Sequence, residues 1–264
     1  MRAQQAIAGK PTVARAPIAT TGSLARERLR AGRVLVVGVG GLGCPATAAL
    51  ARAGVGTVGL MDGDAVELSN LQRQILHGDA DLGRPKVESA RDKILSINPE
   101  VNVRTFKERL TADNLAGRFA EFDFVIDGTD NAGAKFLIND GAVLAGKPYS
   151  HAGILGFRGQ TMTVLPRRSA CYRCLFPSPP PAGEIATCQE AGIVGMVAGA
   201  LGVIQAAEAI KYLMGSTDLL TDRLLTFDAL SSRWRTINLH RSAACPLCGE
   251  QPTISLLAEH AGAA

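Results

Sequence analysis

Short apolar runs and stretches with helical periodicity alternate along most of the chain. Apolar runs predict strands at 34–37, 57–61 and 122–126, and an alternating pattern predicts another at 101–106. Helical patterns lie between them, at 42–53, 86–98 and 111–120. This alternation predicts an α/β fold with a mainly parallel sheet. Residues 148–165 instead hold two strands joined by a glycine-containing turn, and two more short strands follow near 224–238. They predict an antiparallel extension of the sheet.

The first apolar run leads directly into a glycine-rich turn. Gly38, Gly40 and Gly43 have the G-x-G-x-x-G spacing and stand between a predicted strand and a predicted helix. Glycines let the backbone approach phosphate groups, and the helix N-terminus offers N–H donors and a partial positive charge. Asp62 follows the second strand, where dinucleotide folds place an acidic residue on the ribose, although it could also cap a turn. The pattern predicts a Rossmann-like nucleotide-binding sheet.

The polar segment 62–86 helps to decide between a dinucleotide and a nucleoside triphosphate as the ligand. It carries Asn70, Arg73, Gln74 and Lys86, each able to reach a phosphate or its metal ion. An NAD-dependent oxidoreductase accounts for the glycines and Asp62 but needs no second cationic set. A nucleoside triphosphate does, because negative charge builds up on the transferred and leaving groups. A solvated polar loop is the alternative interpretation of this segment.

The strand ending at residue 126 is followed by Asp127, Gly128, Thr129, Asp130 and Asn131. Open α/β sheets bind ligands at the carboxyl ends of their strands, so a carboxylate here faces the ligand. Asp130 is the candidate for Mg²⁺, which favours one or two carboxylates together with phosphate oxygens. The alternative is that Asp130 forms the N-cap of the helix that begins at about residue 132.

The cysteines indicate a metal site. Two C-x-x-C pairs, Cys171 with Cys174 and Cys245 with Cys248, can present four thiolates to one tetrahedral Zn²⁺ and join two distant segments. A redox C-x-x-C is the alternative, but it leaves the second pair unexplained. Cys188 follows a proline cluster in a predicted loop and is either a spare thiol or a nucleophile. His151 stands alone, and we expect a structural role for it.

Composition excludes several classes of protein. The 264 residues carry a net charge of +4, without a run of Lys and Arg interleaved with aromatic residues, so nucleic-acid binding is not indicated. The first residues lack the apolar segment of a signal peptide, and the cysteine usage fits a reducing compartment, so we expect a cytoplasmic protein. The most apolar stretch, 191–213, contains charged residues and many glycines. It predicts a core or subunit-interface helix, not a membrane span.

Taken together, these motifs closely resemble those of the MoeB/ThiF family, bacterial relatives of the ubiquitin-activating enzymes, over residues 24–250. The specific part is the segment NLQRQ at 70–74 combined with CYRC at 171–174 and CPLC at 245–248. The resemblance implies that ATP·Mg²⁺ and a small ubiquitin-like (β-grasp) sulfur-carrier protein are bound. The carrier's C-terminal glycine carboxylate attacks the α-phosphorus of ATP, which gives an acyl-adenylate and pyrophosphate ahead of thiocarboxylate formation.

The resemblance also implies a role for each matching residue. Asp62 would bind the ribose, Asn70, Arg73 and Lys86 the phosphates, and Asp130 the magnesium ion. The full set expected at the nucleotide is Gly38, Gly40, Gly41, Gly43, Asp62, Asp64, Asn70, Arg73, Gln74, Lys86, Asp130 and Asn131. The four paired cysteines would hold a structural zinc ion. The family further implies a homodimer, with the glycine-rich helix 192–214 suited to a close interface, and a sulfur donor on a separate protein.

Two features concern the ends of the chain and the loop cysteine. We expect residues 1–23 to form an N-terminal arm, 24–250 the adenylation domain with its zinc site, and 251–264 a tail. Family members carry an arm arginine that reaches the partner subunit's ATP site; here it falls near Ala14, so either Arg15 serves or the arm contributes less. Cys188 matches a loop cysteine that takes part in sulfur transfer in some members. A non-catalytic ATP-binding scaffold of the same fold, and an NAD-dependent oxidoreductase, remain the alternative functions.

Overall fold

A computed structural model of the chain describes residues 22–181, 192 and 194–258. The expected N-terminal arm with Arg15, and the loop cysteine Cys188, lie outside the described residues. The predictions made for them are therefore not tested by the structure.

One mixed sheet runs through the molecule. Its strands are β1 (Arg33–Val37), β2 (Thr57–Met61), β3 (Asn102–Phe106), β4 (Phe124–Asp127), β5 (Tyr149–Leu155), β6 (Arg158–Val164), β7 (Arg223–Asp228) and β8 (Arg233–Asn238). Their order in space is β3-β2-β1-β4-β5-β6-β7-β8. In this spatial order, neighbouring strands from β3 to β5 run parallel, and neighbouring strands from β5 to β8 run antiparallel. The mainly parallel sheet with an antiparallel extension is confirmed.

The helices connect the strands and cover the sheet. They are α1 (Ser23–Ala31), α2 (Gly43–Ala53), α3 (Lys86–Ile97), α4 (Ala112–Ala120), α5 (Ala132–Leu144), α6 (Tyr172–Leu175) and α7 (Gly195–Leu213). Two 3₁₀ turns, Leu68–Asn70 and Asp79–Asp81, lie in the segment between β2 and α3. The helical patterns at 42–53, 86–98 and 111–120 correspond to α2, α3 and α4 to within a residue at each end.

Two apolar cores lie on opposite faces of the sheet. One packs α2, α3 and the end of α7 against the strands, with Leu50, Ile94 and Ala206 fully buried. The other packs α4, α5 and the cysteine-bearing segments, with Phe119 and Phe136 at its centre. Burial on both faces explains why β1, β2 and β4 consist mainly of apolar residues, whereas the edge strand β3 is less buried and alternates polar with apolar residues.

Among the described residues, α7 has the length and composition of a membrane-spanning helix. Its environment identifies it as a core helix. Gln205 donates to the backbone oxygens of Asp127 (2.8 Å) and Ser150 (3.0 Å), and the buried Glu208 accepts from the Thr163 hydroxyl at 2.7 Å. These polar contacts tie α7 to the middle of the sheet, as its interpretation as a core helix requires.

Candidate active site

The glycine turn after β1 has the close packing that its spacing predicts. Gly38 has a φ of +87°, which favours glycine, and its ideal Cβ would lie 2.7 Å from the Gly128 oxygen. A Cβ on Gly43 would lie 1.9 Å from the Gly38 oxygen. Helix α2 therefore starts in direct contact with the turn, and its first turn carries no acidic residue to offset the positive end of its dipole.

A cleft of about 720 Å³ opens at the carboxyl ends of the parallel strands, above this turn. Every residue expected at the nucleotide lines it except Gly43. The lining members of that set are Gly38, Gly40, Gly41, Asp62, Asp64, Asn70, Arg73, Gln74, Lys86, Asp130 and Asn131. Residues from five separate segments of the sequence thus meet in one cavity. Gly43 lies beneath it and has a packing role.

Asp62 lies at the tip of β2 and is held by two backbone donors. Its Oδ2 accepts from Val39 N at 2.8 Å and its Oδ1 from Asp64 N at 2.9 Å. Burial raises the pKa of the Asp62 carboxyl above its ordinary value, although Lys86 and both N–H donors oppose the shift. Each carboxylate oxygen retains a second acceptor direction, which is the chemistry a ribose hydroxyl needs.

Asp64 stands between two cations at the cleft. Lys86 Nζ, whose side chain is buried, lies 2.8 Å from Asp64 Oδ2, and the more exposed Arg109 reaches Oδ1 at 3.2 Å. Partial burial would raise the pKa of Asp64, but Lys86 and Arg109 outweigh it and hold the pKa below its ordinary value. The carboxylate therefore balances positive charge that a polyphosphate could take over.

The side-chain amide of Asn70, at the end of the first 3₁₀ turn, orients two of the side chains that follow it. Asn70 Oδ1 accepts from Arg73 Nη2 at 2.8 Å and from Gln74 Nε2 at 3.2 Å, while Arg73 also contacts the Ser69 oxygen. Three of the four side chains that the sequence predicts within reach of a phosphate or its metal ion are therefore one connected group, and the fourth, Lys86, pairs with Asp64 instead. Asn70 orients the guanidinium of Arg73 along the wall of the cleft.

The carboxylates of Asp127, at the end of β4, and of Asp130, in the loop after it, lie in different environments. Asp127 is fully buried at the end of the strand, whereas Asp130 is exposed at the cleft. The N-cap of α5 is Asn131, whose Oδ1 accepts from Ala134 N at 2.7 Å. The alternative in which Asp130 caps this helix is therefore wrong by one residue, since the loop conformation puts the neighbouring amide in the cap position.

A buried ionic group beneath the cleft was not predicted. Lys135 Nζ lies 3.1 Å from Asp127 Oδ2 and donates to the backbone oxygens of Thr129 (2.8 Å) and Ala152 (2.6 Å). His151 Nδ1 lies 2.9 Å from the same carboxylate. Burial alone would raise the pKa of Asp127, but Lys135, His151 and the Thr129 hydroxyl hold it at about 2.

His151 is buried within this group, in agreement with its predicted structural role. Burial and the nearby Lys135 lower the pKa of its imidazole, although the hydrogen bond to Asp127 opposes the shift. One sequence signal pointed to Lys135: it is a single charged residue within the apolar turn GAKFLI of a helix. Arg109 gave no such signal, because it lies in an ordinary polar loop after β3.

The two cysteine pairs come together on the far side of the sheet from α7. The Sγ atoms of Cys171, Cys174, Cys245 and Cys248 all lie within 4.8 Å of one another. Individual separations are 3.9 Å for Cys171–Cys174, 3.7 Å for Cys171–Cys245 and 3.4 Å for Cys174–Cys248. Four sulfurs about 3.8 Å apart surround a tetrahedral Zn²⁺ at a Zn–S distance of about 2.3 Å. The cluster could hold zinc.

The fold and the site together define a nucleotide-binding α/β protein with a cysteine cluster attached to its sheet. A model of the ThiF family matches residues 14–247 of the chain, and the chain belongs to the ThiF family.

The matched relatives include one of similar length and several longer proteins. The chain is 42% identical to the "Sulfur carrier protein adenylyltransferase" of Thermus thermophilus, over 86% of each chain. It is 44% identical to the "Probable adenylyltransferase/sulfurtransferase MoeZ" of Mycobacterium tuberculosis, over 84% of this chain and 57% of that protein. The chain thus spans little more than half of the first of these longer relatives.

Solved structures support the fold. A crystal structure of E. coli MccB with AMPCPP and MccA superposes with a TM-score of 0.77 at 24% identity, and covers 86% of this chain and 69% of that one. At this identity the likeness concerns the fold alone. It agrees with the observed sheet, including the change from parallel to antiparallel pairing.

Proposed function

We propose that this chain uses ATP to adenylate the C-terminal glycine carboxylate of a small ubiquitin-like (β-grasp) sulfur-carrier protein. The observation that carries the proposal is the convergence of Arg73, Lys86, Arg109 and Asp130 in one cleft above a glycine turn. Relatives named as adenylyltransferases, one of them acting on a sulfur carrier, support the reaction class.

In the described part of the chain, four cationic side chains line the cleft, which is more than the pyrophosphate of a dinucleotide needs: Arg73, Lys86, Arg109 and Lys135. The Asp64 carboxylate pairs with both Lys86 and Arg109, and a triphosphate entering the cleft would replace it as their partner. As the carrier carboxylate attacks the α-phosphorus, charge builds on the leaving pyrophosphate, where Arg73, Lys86 and Asn70 act as donors. Asp62 would hold the ribose through its remaining acceptor positions. The product is a mixed anhydride of the carboxylate with AMP.

Both expected metal ions fit the residues present. Asp130 is an exposed carboxylate beside the phosphate-binding wall, which suits Mg²⁺ held by one carboxylate and phosphate oxygens. That ion would neutralise charge on the phosphates. The cysteine cluster has the spacing of a structural Zn²⁺ site and joins α6 to the segment after β8.

The remaining expectations are parts of the same proposal. An exposed apolar stripe on α7, formed by Met196 and Val203 with Gly199 open between them, suits a homodimer contact. Arg15 of a partner subunit would complete the ATP site, Cys188 would receive or pass on sulfur, and a separate protein would donate it. The expected domain bounds and the cytoplasmic location complete the proposal.

The test is ATP–[³²P]pyrophosphate exchange against a panel of purified β-grasp carrier proteins. We expect exchange with one carrier, and a loss of about a hundredfold or more in Asp130→Ala because charge neutralisation at the phosphates is lost. The matched control is Asp113→Ala, which removes another exposed carboxylate near the start of α4, outside the cleft. Full exchange in Asp130→Ala would contradict the proposed role.

Two other functions make different predictions for the same protein. An NAD-dependent oxidoreductase would bind NADH tightly and leave exchange absent. A non-catalytic scaffold would bind ATP without forming an adenylate with any carrier. The cations of the cleft favour the adenylyltransferase over the oxidoreductase, because a nicotinamide cofactor has no transferred phosphoryl charge for them to stabilise.

A further inference from the structure

The antiparallel end of the sheet carries a second cavity, of about 800 Å³. We define the outer groove by the side chains of Arg158, Gln160, Thr226, Arg233 and Arg235, which line it. Asp130, Asn131, Lys135 and Ile154 line both this cavity and the nucleotide cleft. The outer groove is therefore continuous with the proposed adenylation site.

Strand register places the groove residues in two rows across the sheet. Gln160 pairs with Gly153 and with Thr226, and Thr226 pairs with Arg235. In the next row Asp228 pairs with both Arg158 and Arg233. Because alternate residues of a strand share a face, these side chains project to the same side. The floor towards the cleft is small and polar, and the outer end is formed by arginines.

The charge of the outer end is unbalanced. Asp228 is the only carboxylate in its row, and it lies 3.8 Å from Arg158 Nε while its Oδ1 accepts backbone N–H groups of Leu230 and Ser231. In the part of the chain that the structure describes, Arg233 and Arg235 are exposed and form no ion pair. Three guanidinium groups thus face the outer end of the groove against one carboxylate, and the other carboxylate of the cavity, Asp130, lies at the nucleotide cleft.

The width of the sheet between the arginines and the cleft can be compared with the length of an extended peptide. From β8 to β5 there are three strand spacings of about 4.8 Å, about 14 Å in all. An extended chain advances about 3.3 Å per residue, so about four residues cross from Arg235 to Gly153, at the border of the cleft. A chain whose last residue lies at this border therefore places about its fifth and sixth residues from the C-terminus at the arginines.

We propose that the outer groove selects a carrier whose C-terminal tail is preceded, at about the fifth and sixth residues from its end, by acidic side chains that pair with Arg233 and Arg235. This inference rests on the proposed function and adds the chemical character of the partner. Exposed charge pairs act mainly on partner choice and association rate, which is the role this surface would have.

Two fluorescein-labelled ten-residue peptides ending in Gly-Gly test the proposal by fluorescence anisotropy with the full chain. One carries Glu and the other Lys at the fifth and sixth residues from the C-terminus. At about 50 mM NaCl we expect the Glu peptide to bind about tenfold more tightly, and at about 500 mM NaCl we expect the difference to shrink because exposed charges are screened. Equal affinities at low salt would overturn the proposal.

Arginine variants test whether the preference for the Glu peptide arises at Arg233 and Arg235. The double substitution Arg233→Gln/Arg235→Gln should abolish the preference, and Arg233→Glu/Arg235→Glu should reverse it. The control Arg26→Gln/Arg30→Gln removes the same charge from exposed positions of α1, away from the groove, and should keep the preference. A preference that survives in the Gln double variant would overturn the proposal, as would tighter binding of a ten-nucleotide single-stranded RNA.

The peptide assay does not require catalysis, so the two proposals can fail separately. A Glu preference that depends on the arginines, with no pyrophosphate exchange for any carrier, would contradict adenylation and support the groove. Exchange with a carrier, combined with equal peptide affinities, would support adenylation and contradict the groove.

Discussion

The two halves of the sheet differ in what covers them. The strands β1, β2 and β4 are buried almost throughout and lie between helices on both faces. Strand β8 is exposed along its whole length, and β7 is mostly half-buried. The parallel half can thus hold a preformed cleft for a small ligand, whereas β7 and β8, the outer strands of the antiparallel half, offer an open surface to a large one. Burial separates the two tasks within one continuous sheet.

Lys135 lies at the junction of the halves, and its removal has the largest expected effect. Its ammonium joins Asp127 at the end of β4 to the Ala152 oxygen in β5. Lys135→Met leaves the Asp127 carboxylate buried with one cation fewer, which costs about 3–5 kcal/mol of unfolding free energy. The exposed pair of Arg33 with Asp123 provides the control, since Arg33→Met should cost less than about 1 kcal/mol.

Chemical denaturation of both variants measures this difference. A similar small loss for Lys135→Met and Arg33→Met would contradict the assignment of Lys135 as the link between the halves. Lys135 makes the largest contribution to lowering the pKa of Asp127, so its removal should also raise the pKa of this buried carboxyl.

Glycine substitutions compare the tightness of packing at two positions, one in the glycine turn and one in β5. Gly43→Ala places a Cβ 1.9 Å from the Gly38 oxygen, so the backbone must move, at a cost of about 1–3 kcal/mol. In β5, the nearest atom to a Cβ on Gly153 is His151 Nε2 at 3.7 Å, an ordinary contact. Gly153→Ala should therefore change stability by less than about 0.5 kcal/mol. Thermal unfolding measures both, and equal losses would remove the contrast in packing.

The adjacent residues Asp130 and Asn131 separate stability from function at the border of the halves. Asn131→Ala removes the N-cap of α5 and should cost about 1 kcal/mol. Asp130→Ala should change stability by less than about 0.5 kcal/mol, because the carboxylate is exposed, yet it should abolish exchange. Urea denaturation and the exchange assay test the pair together. A stability loss in Asp130→Ala equal to that in Asn131→Ala would place part of the cap at Asp130.

The elements of the fold were predictable because their signals are local. Apolar runs, the glycine spacing and the C-x-x-C pairs each lie within a few residues, and the structure confirms strands, turn and cluster. The identity of the α5 cap was less certain, since Asp130 and Asn131 are both good capping residues and the loop conformation decides between them.

The buried ionic group was not predictable in the same way. Lys135, Asp127 and His151 come from three elements, and their contacts follow from the order of β4 and β5 in the sheet. Likewise, Arg109 reaches Asp64 only because β3 lies beside β2. In both cases, the sequence around one residue does not indicate which residue it contacts. The cleft residues were predictable as a set through the family resemblance, but their ion pairs required the structure.

The smallest expected effects on stability concern exposed ion pairs, for which we expect no difference between the two halves of the sheet. Arg109 pairs with Asp64 at 3.2 Å in the parallel half, and Arg158 lies 3.8 Å from Asp228 in the antiparallel half. Both arginine side chains are more than half exposed, at 58% and 80%. Exposed pairs contribute about 0–1 kcal/mol wherever they stand. Arg109→Gln and Arg158→Gln should therefore each change the unfolding free energy by less than about 0.5 kcal/mol.

Steady-state exchange kinetics should separate what stability does not. Arg109→Gln should raise the KM for ATP several-fold and leave the KM for the carrier unchanged, because Arg109 lines only the nucleotide cleft. Arg158→Gln should do the opposite, since Arg158 lines only the outer groove. If both variants shifted the same KM, the division of the sheet into a nucleotide half and a partner half would be wrong. A distinct shift for each variant would mean that position in the sheet, and not the strength of the ion pair, decides what an exposed arginine does.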